Sequence, residues 1–418
     1  MNEGLDVSPH LTSLLSRLGV AASAAPPHSD AICVVASITN LAQVERAYGS
    51  ALASLMRCIV HEQARHVCET HGGIMTMSGE HILFVFDTPA TLSGTETYAP
   101  RATVLIEYIL SALADGPIEA AEGTVFAAVS ATLAPWTDEP FDITAVGASA
   151  IPAGCSGREW RERYIADMRI AEKIFRAMDQ DRLFFEWEPV QNAKGEASTR
   201  YFEALLCMVE GGGVVRAGSM VPALERLGLV RRLDQWVVES AIDTLRVNRA
   251  LCLGCNVSGQ STTLDAWWAS IAATLGEEPD IASRLIIEIT ETAPLNAPEE
   301  ALAFVKSLQS FGCRVALDDV GTGHSSINAL VHLGVDIAKI ASVYLRQAEQ
   351  DAHGVERFQQ LVEFAKACAP GVVIEGVESD AGAAIARACG ADWLQGYLLS
   401  RAFVADVKRP DRSKRTPN

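Results

Sequence analysis

From Arg182 onward, short apolar runs alternate with longer stretches of helical length. Eight runs read as strands, at 183–190, 201–208, 250–257, 285–289, 314–317, 335–340, 371–374 and 393–399. Helical segments lie between most of them, among them 230–247, 298–310, 355–369 and 381–389. Eight strands with intervening helices over roughly 230 residues predict an α/β fold, a TIM-type (βα)8 barrel. A doubly wound open sheet competes, but the Gly-rich phosphate loop it usually carries after its first strand is missing.

The first half has a different texture. Residues 1–28 are rich in Ala, Ser and Pro and read as a loose tail with one short helix over 11–18. A strand at 31–36, a helix at 51–70 and a break at Gly72-Gly73 follow. Runs at 73–77 and 81–87 around Ser78-Gly79-Glu80 predict a hairpin. A helix over 102–114 and a strand over 124–132 complete an α+β domain spanning 29–150. Pro, Gly and Asp from 135 to 157 mark a boundary, and 159–178 predicts a connecting helix within a 151–180 linker. The barrel then occupies 181–407, and 408–418 is a short basic tail.

The 418 residues fit two or three domains. Apolar residues at 49% and charged residues at 21% supply an ordinary globular core. Lys plus Arg (34) against Asp plus Glu (52) leaves −18, which argues against a nucleic-acid-binding surface. No apolar run reaches the roughly 18 residues of a membrane span, and the start lacks the pattern of a secretory signal. Ten cysteines without framework spacing fit reduced thiols in a cytoplasm.

The chemistry lies at the carboxyl ends of the strand-like runs. They carry in order Glu203, Asn256, Glu288 with Glu291, Asp318-Asp319, Lys339, Glu375 with Glu378, and Gln395. In a parallel barrel these ends converge on one face. Carboxylates so gathered repel one another unless cations neutralise them. Oxygen donors without histidine select hard ions such as Mg²⁺, Mn²⁺ or Ca²⁺. Adjacent Asp318 and Asp319 suit a bridge between two ions, and Lys339 suits a water or an anionic oxygen. The ensemble suits hydrolysis of a phosphodiester by metal-activated water. Any one of these acids taken alone reads as a helix cap or a solvated charge. Glu288 resists that reading, because it interrupts Leu285-Ile286-Ile287, and Glu375 follows Val372-Val373-Ile374 in the same way.

Tyr201-Phe202-Glu203-Ala204-Leu205-Leu206 resembles the signature of the EAL family of cyclic di-GMP phosphodiesterases. Asn256-Val257-Ser258, Glu288-Ile289-Thr290-Glu291, Asp318-Asp319-Val320-Gly321-Thr322-Gly323, Lys339-Ile340, Glu375-Gly376-Val377-Glu378 and Gln395-Gly396-Tyr397 match in the family's order. The resemblance implies a barrel whose first strand runs antiparallel to the rest. It implies a bacterial second-messenger enzyme that opens cyclic di-GMP to linear pGpG with two Mg²⁺ or Mn²⁺ ions. Glu203, Asn256, Glu288, Asp318, Asp319 and Glu375 would be metal ligands. Lys339 would orient the attacking water, Gln395 would assist, and Glu291 would anchor the loop after Asp319. Leu205 and Glu378, with positions 188 and 207, fall to the substrate side. A homodimer and a signalling protein partner are implied as well.

This chain departs from the family at several positions. Cys207 stands where the family usually has a phosphate-binding Arg, and Glu188 where it has Gln. Losing a guanidinium and adding a negative charge both weaken the grip on a dianion. Val320, His324 and Ala341 replace further usual residues. The first domain resembles a degenerate GGDEF domain. Ser37-Ile38-Thr39 stands in place of its metal-binding Asp-x-Asp, with Tyr48-Gly49 following and Ser78-Gly79-Glu80-His81 at its hairpin. Without carboxylates at 37 and 39, Mg²⁺–GTP has no seat, so a regulatory role is expected there. The rival to a phosphodiesterase is a non-catalytic cyclic di-GMP receptor or protein-docking scaffold on the same barrel.

Overall fold

The computed structural model describes residues 31–86, 95–134, 157–194, 198–264, 266–290, 298–322 and 326–400. The expected tails and Glu291 lie outside these residues. The chain divides into two compact units, one running to Lys173 with Arg226–Leu229 and Asp265–Ser270, the other holding the remainder. Among the described residues, no helix is long and apolar enough to cross a membrane.

The first unit is α+β. Strands β1 (Ile32–Ile38), β2 (Gly73–Ser78), β3 (His81–Phe86) and, at the far edge, Val129–Leu133 form an antiparallel sheet; β4 (Ile118–Ala120) and β5 (Gly123–Val125) make a separate ribbon, so the edge strand is β6. The sheet order is β2-β3-β1-β6. β2 and β3 form the expected hairpin, with Ser78 opposite His81. The single strand expected over 124–132 is instead β5 and β6, because Phe126–Ala128 leave the ladder to bond Asn40, whose side chain binds the Phe126 carbonyl and the Ala128 amide. The expected linker helix is present as Arg158–Asp179.

The second unit is a closed barrel. Its strands are β7 (Leu183–Asn192), β8 (Thr199–Glu210), β10 (Leu253–Ser258), β11 (Leu285–Thr290), β12 (Arg314–Val320), β13 (Ile337–Ile340), β14 (Gly371–Ile374) and β15 (Trp393–Gln395), with β9 (Gly213–Arg216) as a hairpin extension of β8. β8 pairs with β10, which closes the ring. β7 is antiparallel to both β8 and β15, whereas β8 and β10 through β15 pair parallel. The run expected as a strand over 393–399 ends at Gln395, because Gly396 turns the chain at φ 146 into the short helix Tyr397–Ser400. The helices Val230–Val247 and Pro298–Ser310 have their expected bounds.

Inside the ring, Val190, Tyr201, Ile286, Ala316, Ile337 and Val373 pack into one apolar cluster. In a strand, residues two apart share a face. The next inward position above Tyr201 is Glu203, above Ile286 is Glu288, above Ala316 is Asp318, above Ile337 is Lys339, and above Val373 is Glu375. The period of the strands thus lays a charged layer directly over a dry one.

Candidate functional site

Lys339 is the hub of the charged layer. Its Nζ lies 2.6 Å from Glu288, 2.8 Å from Asp318, and 3.0 Å from both Glu203 and Glu375. Lys339 and Glu288 are fully buried. An ammonium has three N–H groups and one charge, so it can neither donate to all four acids at once nor balance them if all are ionised. Protonation answers part of the deficit. Burial pushes Glu288 up to about 8 despite the pull of Lys339. Burial, reinforced by Asp318, holds Glu375 well above the usual carboxylate range. Glu203 goes the other way: burial opposes its charge, but Lys339, Gln395 and Asn256 together hold it below that range. Burial also disfavours the Lys339 ammonium, yet the surrounding acids keep it well above its ordinary value.

Asp318 and Asp319 owe their arrangement to an irregularity in the sheet. The ladder between β12 and β13 shifts between Leu317 and Val320, so two aspartates occupy the stretch opposite Lys339. Such a bulge turns neighbouring side chains in different directions. Asp319 adopts φ 52, an unusual conformation for a residue with a side chain. Asp318 meets Lys339, while Asp319 is exposed at the strand end. Gly321 follows at φ 100 and its carbonyl accepts a hydrogen bond from Tyr344.

Asn256 and Gln395 complete the layer. Asn256 Nδ2 donates to Glu203 Oε1 at 2.6 Å, leaving its buried Oδ1 without a hydrogen-bond partner. Gln395 Nε2 donates to Glu203 Oε2 and, at 2.9 Å, to Glu188 Oε2. Glu188 also accepts from Ser400 Oγ at 3.1 Å. Leu205 is half-buried and Cys207 fully buried further along β8. Glu378 is exposed beyond β14. Glu203, Glu288, Asp318, Lys339, Glu375, Asn256 and Gln395 therefore meet in one network, Glu188 joins it through Gln395, and Glu291 lies outside the described residues.

The donor set bears on which cation it could hold. It comprises carboxylates and one amide oxygen, with an excess of negative charge, which suits a hard divalent ion. Among the described residues, no three His, Cys, Asp or Glu side chains stand ready as a metal cage. The acids converge on Lys339 Nζ instead. The fit is one of donor chemistry, charge and the unpartnered Asn256 Oδ1.

Two supporting features escaped the sequence reading. Gly254, two residues before Asn256, faces the lumen, where an added Cβ would stand 2.1 Å from Glu288 Oε1 and 2.9 Å from Tyr201. Only a residue without a side chain leaves Glu288 its place. Gly254→Ala is expected to destabilise the fold by about 1–3 kcal/mol through overpacking; an unaltered urea midpoint would contradict this. The second feature is a clamp below the end of β10. Asp234 Oδ2 accepts from Ser258 N at 3.1 Å and Ser261 Oγ at 2.6 Å, and Glu225 accepts from Ser258 Oγ at 2.6 Å. Burial pushes Asp234 up to about 7 against those hydrogen bonds. The signal was an acid on the apolar stripe of an amphipathic helix, Asp234 among Val230, Leu233, Val237 and Val238, with Glu225 in the short helix Val221–Leu227 before it.

A family model described as EAL domain matches residues 171–402. An uncharacterized protein of Azorhizobium caulinodans is 31% identical over 241 residues, covering 54% of this chain and 32% of its own. The cyclic di-GMP phosphodiesterase PdeF of Escherichia coli is 26% identical over 251 residues, covering 59% of this chain and 33% of its own. The chain thus spans about a third of the length of these curated relatives. Among solved structures, the PaMucR phosphodiesterase in complex with c-di-GMP aligns with a TM-score of 0.50 at 24% identity, over 56% of this chain and 96% of that one. A Vibrio cholerae LapD fragment of S helix, GGDEF and EAL, bound to c-di-GMP, aligns with a TM-score of 0.50 at 12% identity, over 94% of this chain and 93% of that one. These structural likenesses are likenesses of fold.

Proposed function

The chain belongs to the EAL domain family, and from that premise we propose that it hydrolyses cyclic di-GMP to linear pGpG with the help of two Mg²⁺ or Mn²⁺ ions. The observation that carries this reading is four buried or nearly buried carboxylates around one lysine. A barrel that only needed to stand would gain from apolar residues at those positions. Relatives named as cyclic di-GMP phosphodiesterases support the substrate.

In this reading Glu203, Asn256, Glu288, Asp318, Asp319 and Glu375 hold the ions. Bound there, divalent ions supply a hydroxide nucleophile at neutral pH and charge stabilisation for the phosphoryl oxygens. Lys339 keeps the acids in register and, once ions take up some of those carboxylates, would have an N–H for the attacking water. Gln395 orients Glu203 through its amide. Glu291 anchors the loop beyond Asp319, and Leu205, Glu188, Cys207 and Glu378 border the nucleotide.

The N-terminal unit is proposed as a GGDEF-like module without cyclase activity. Ser37 Oγ and His81 Nδ1 lie 2.7 Å apart where such a domain needs acids for a metal ion. A domain plan of 29–150, 151–180 and 181–407, a cytoplasmic location and a homodimer belong to the same proposal.

The test is incubation of the purified protein with cyclic di-GMP and Mn²⁺, with chromatography of the product. Formation of pGpG that EDTA abolishes supports the enzyme. Tight binding without product would favour a receptor, a reading motivated by Glu188 and Cys207, and no binding would favour a docking scaffold. Glu188→Gln removes a negative charge from the mouth and is expected to lower KM about two- to fivefold, the range of an exposed charge interaction. An unchanged KM would remove Glu188 from the substrate side.

A further inference from the structure

If the mouth of this barrel takes a dianion with two phosphates, a cation of its own would favour the one that lies away from the reacting centre. On the face of β7, β8 and β9 that carries Glu203, the other charged residues are Glu186, Glu188 and Arg216. The register fixes this arrangement. Glu188 pairs with Glu203, Glu186 with Leu205, and Phe184 with Cys207 across β7 and β8; Cys207 pairs with Arg216 across β8 and β9. Directly opposed residues point to the same side of a sheet, and so do residues two apart. Arg216 is therefore the one cation on that face of these three strands.

Cys207 has no cationic form and cannot meet a phosphate with positive charge; burial, reinforced by Glu186, pushes its thiol up to about 11, which keeps it neutral. Arg216, beside it, keeps its guanidinium accessible: its side chain is 57% exposed, and its ion pair with Glu186, itself 46% exposed, is 3.3 Å long. A pair so exposed contributes little, so an arriving phosphate can share or take the guanidinium fork.

We propose that Arg216, presented by the β9 hairpin, binds a phosphate of cyclic di-GMP and is a substrate-affinity determinant of this chain, with Glu186 as its competing partner. This rests on the phosphodiesterase reading. Cys207 lies four residues beyond Glu203, about 14 Å at the usual strand rise. Arg216 thus meets the ligand at a distance from the carboxylate layer, and its contribution is uniform binding, read in KM and not in kcat.

The experiment compares wild type, Arg216→Gln, Arg216→Lys and Glu186→Gln in steady-state hydrolysis of cyclic di-GMP with Mn²⁺, and in direct titration with cyclic di-GMP. Arg216→Gln is expected to raise KM about tenfold with kcat within about twofold, the loss of a charge-assisted phosphate contact. Glu186→Gln is expected to lower KM, and Arg216→Lys to fall between wild type and the Gln variant. Added salt should raise the wild-type KM more steeply than that of Arg216→Gln. An active wild type whose KM is unmoved by Arg216→Gln overturns the inference alone. A wild type that neither binds nor hydrolyses the dinucleotide overturns the phosphodiesterase reading and this inference with it. Should Arg216→Gln lose its fold, Glu186→Gln decides, since an unaltered KM there also counts against Arg216.

Discussion

Replacing Lys339 with methionine is expected to destabilise the metal-free protein by about 3–5 kcal/mol at neutral pH, the loss that follows removal of one partner from a buried ion pair. The ammonium has contacts of 2.6–3.0 Å to four acids, and nothing else in the described layer carries positive charge. Mn²⁺ should restore much of the lost stability, because divalent ions can supply the charge that the ammonium no longer does. Thermal unfolding in EDTA and in excess Mn²⁺ reads both effects. A variant as stable as wild type in EDTA would show that the acids do not depend on Lys339. The wild type should carry the same imbalance in its pH dependence. Glu288 has a folded value of about 8, above its unfolded one. Its contribution is fully present below about pH 4.3 and is lost as pH rises through the folded value. Metal-free wild type should therefore lose stability from this group between about pH 4.3 and 8.

Glu203→Gln is expected to keep the fold and to lower kcat by about a thousandfold or more, the scale of losing several kcal/mol of electrostatic stabilisation. The amide preserves the shape of Glu203 and leaves an acceptor for Lys339. It removes the charge and, with its oxygen kept toward Lys339 and Gln395, puts a donor against Asn256 Nδ2, which now donates to Glu203 Oε1. The loss should appear in kcat with a thermal midpoint close to wild type. A variant retaining wild-type turnover would remove Glu203 from the reaction.

Much of the barrel was legible because its strands are short and bounded. Val372-Val373-Ile374 ends directly at Glu375, and Leu285-Ile286-Ile287 breaks on Glu288, so period and charge pointed to the same positions. What remained hidden depends on three dimensions. Lys339 stood out in the sequence as a strand-end cation, but only closure of the ring brings four acids from four other strands onto its Nζ. Gly254 gives no signal in a single sequence, since its role is space for a side chain on β11. The four-residue β9 follows two glycines at positive φ, Gly211 and Gly212, which read equally well as a loop. Arg216 was overlooked with it. In the first unit the run over 124–132 is apolar enough for one strand, but the Asn40 side chain draws its middle out of the ladder.

The central claim is that the acids over the apolar plug serve divalent cations. Its most direct measurement is anomalous diffraction from crystals of the full chain soaked in Mn²⁺ near neutral pH. The account predicts two anomalous peaks at the barrel mouth, coordinated by oxygens of Glu203, Asn256, Glu288, Asp318, Asp319 and Glu375. A mouth without anomalous density, with Lys339 still bound to all four acids, would contradict it.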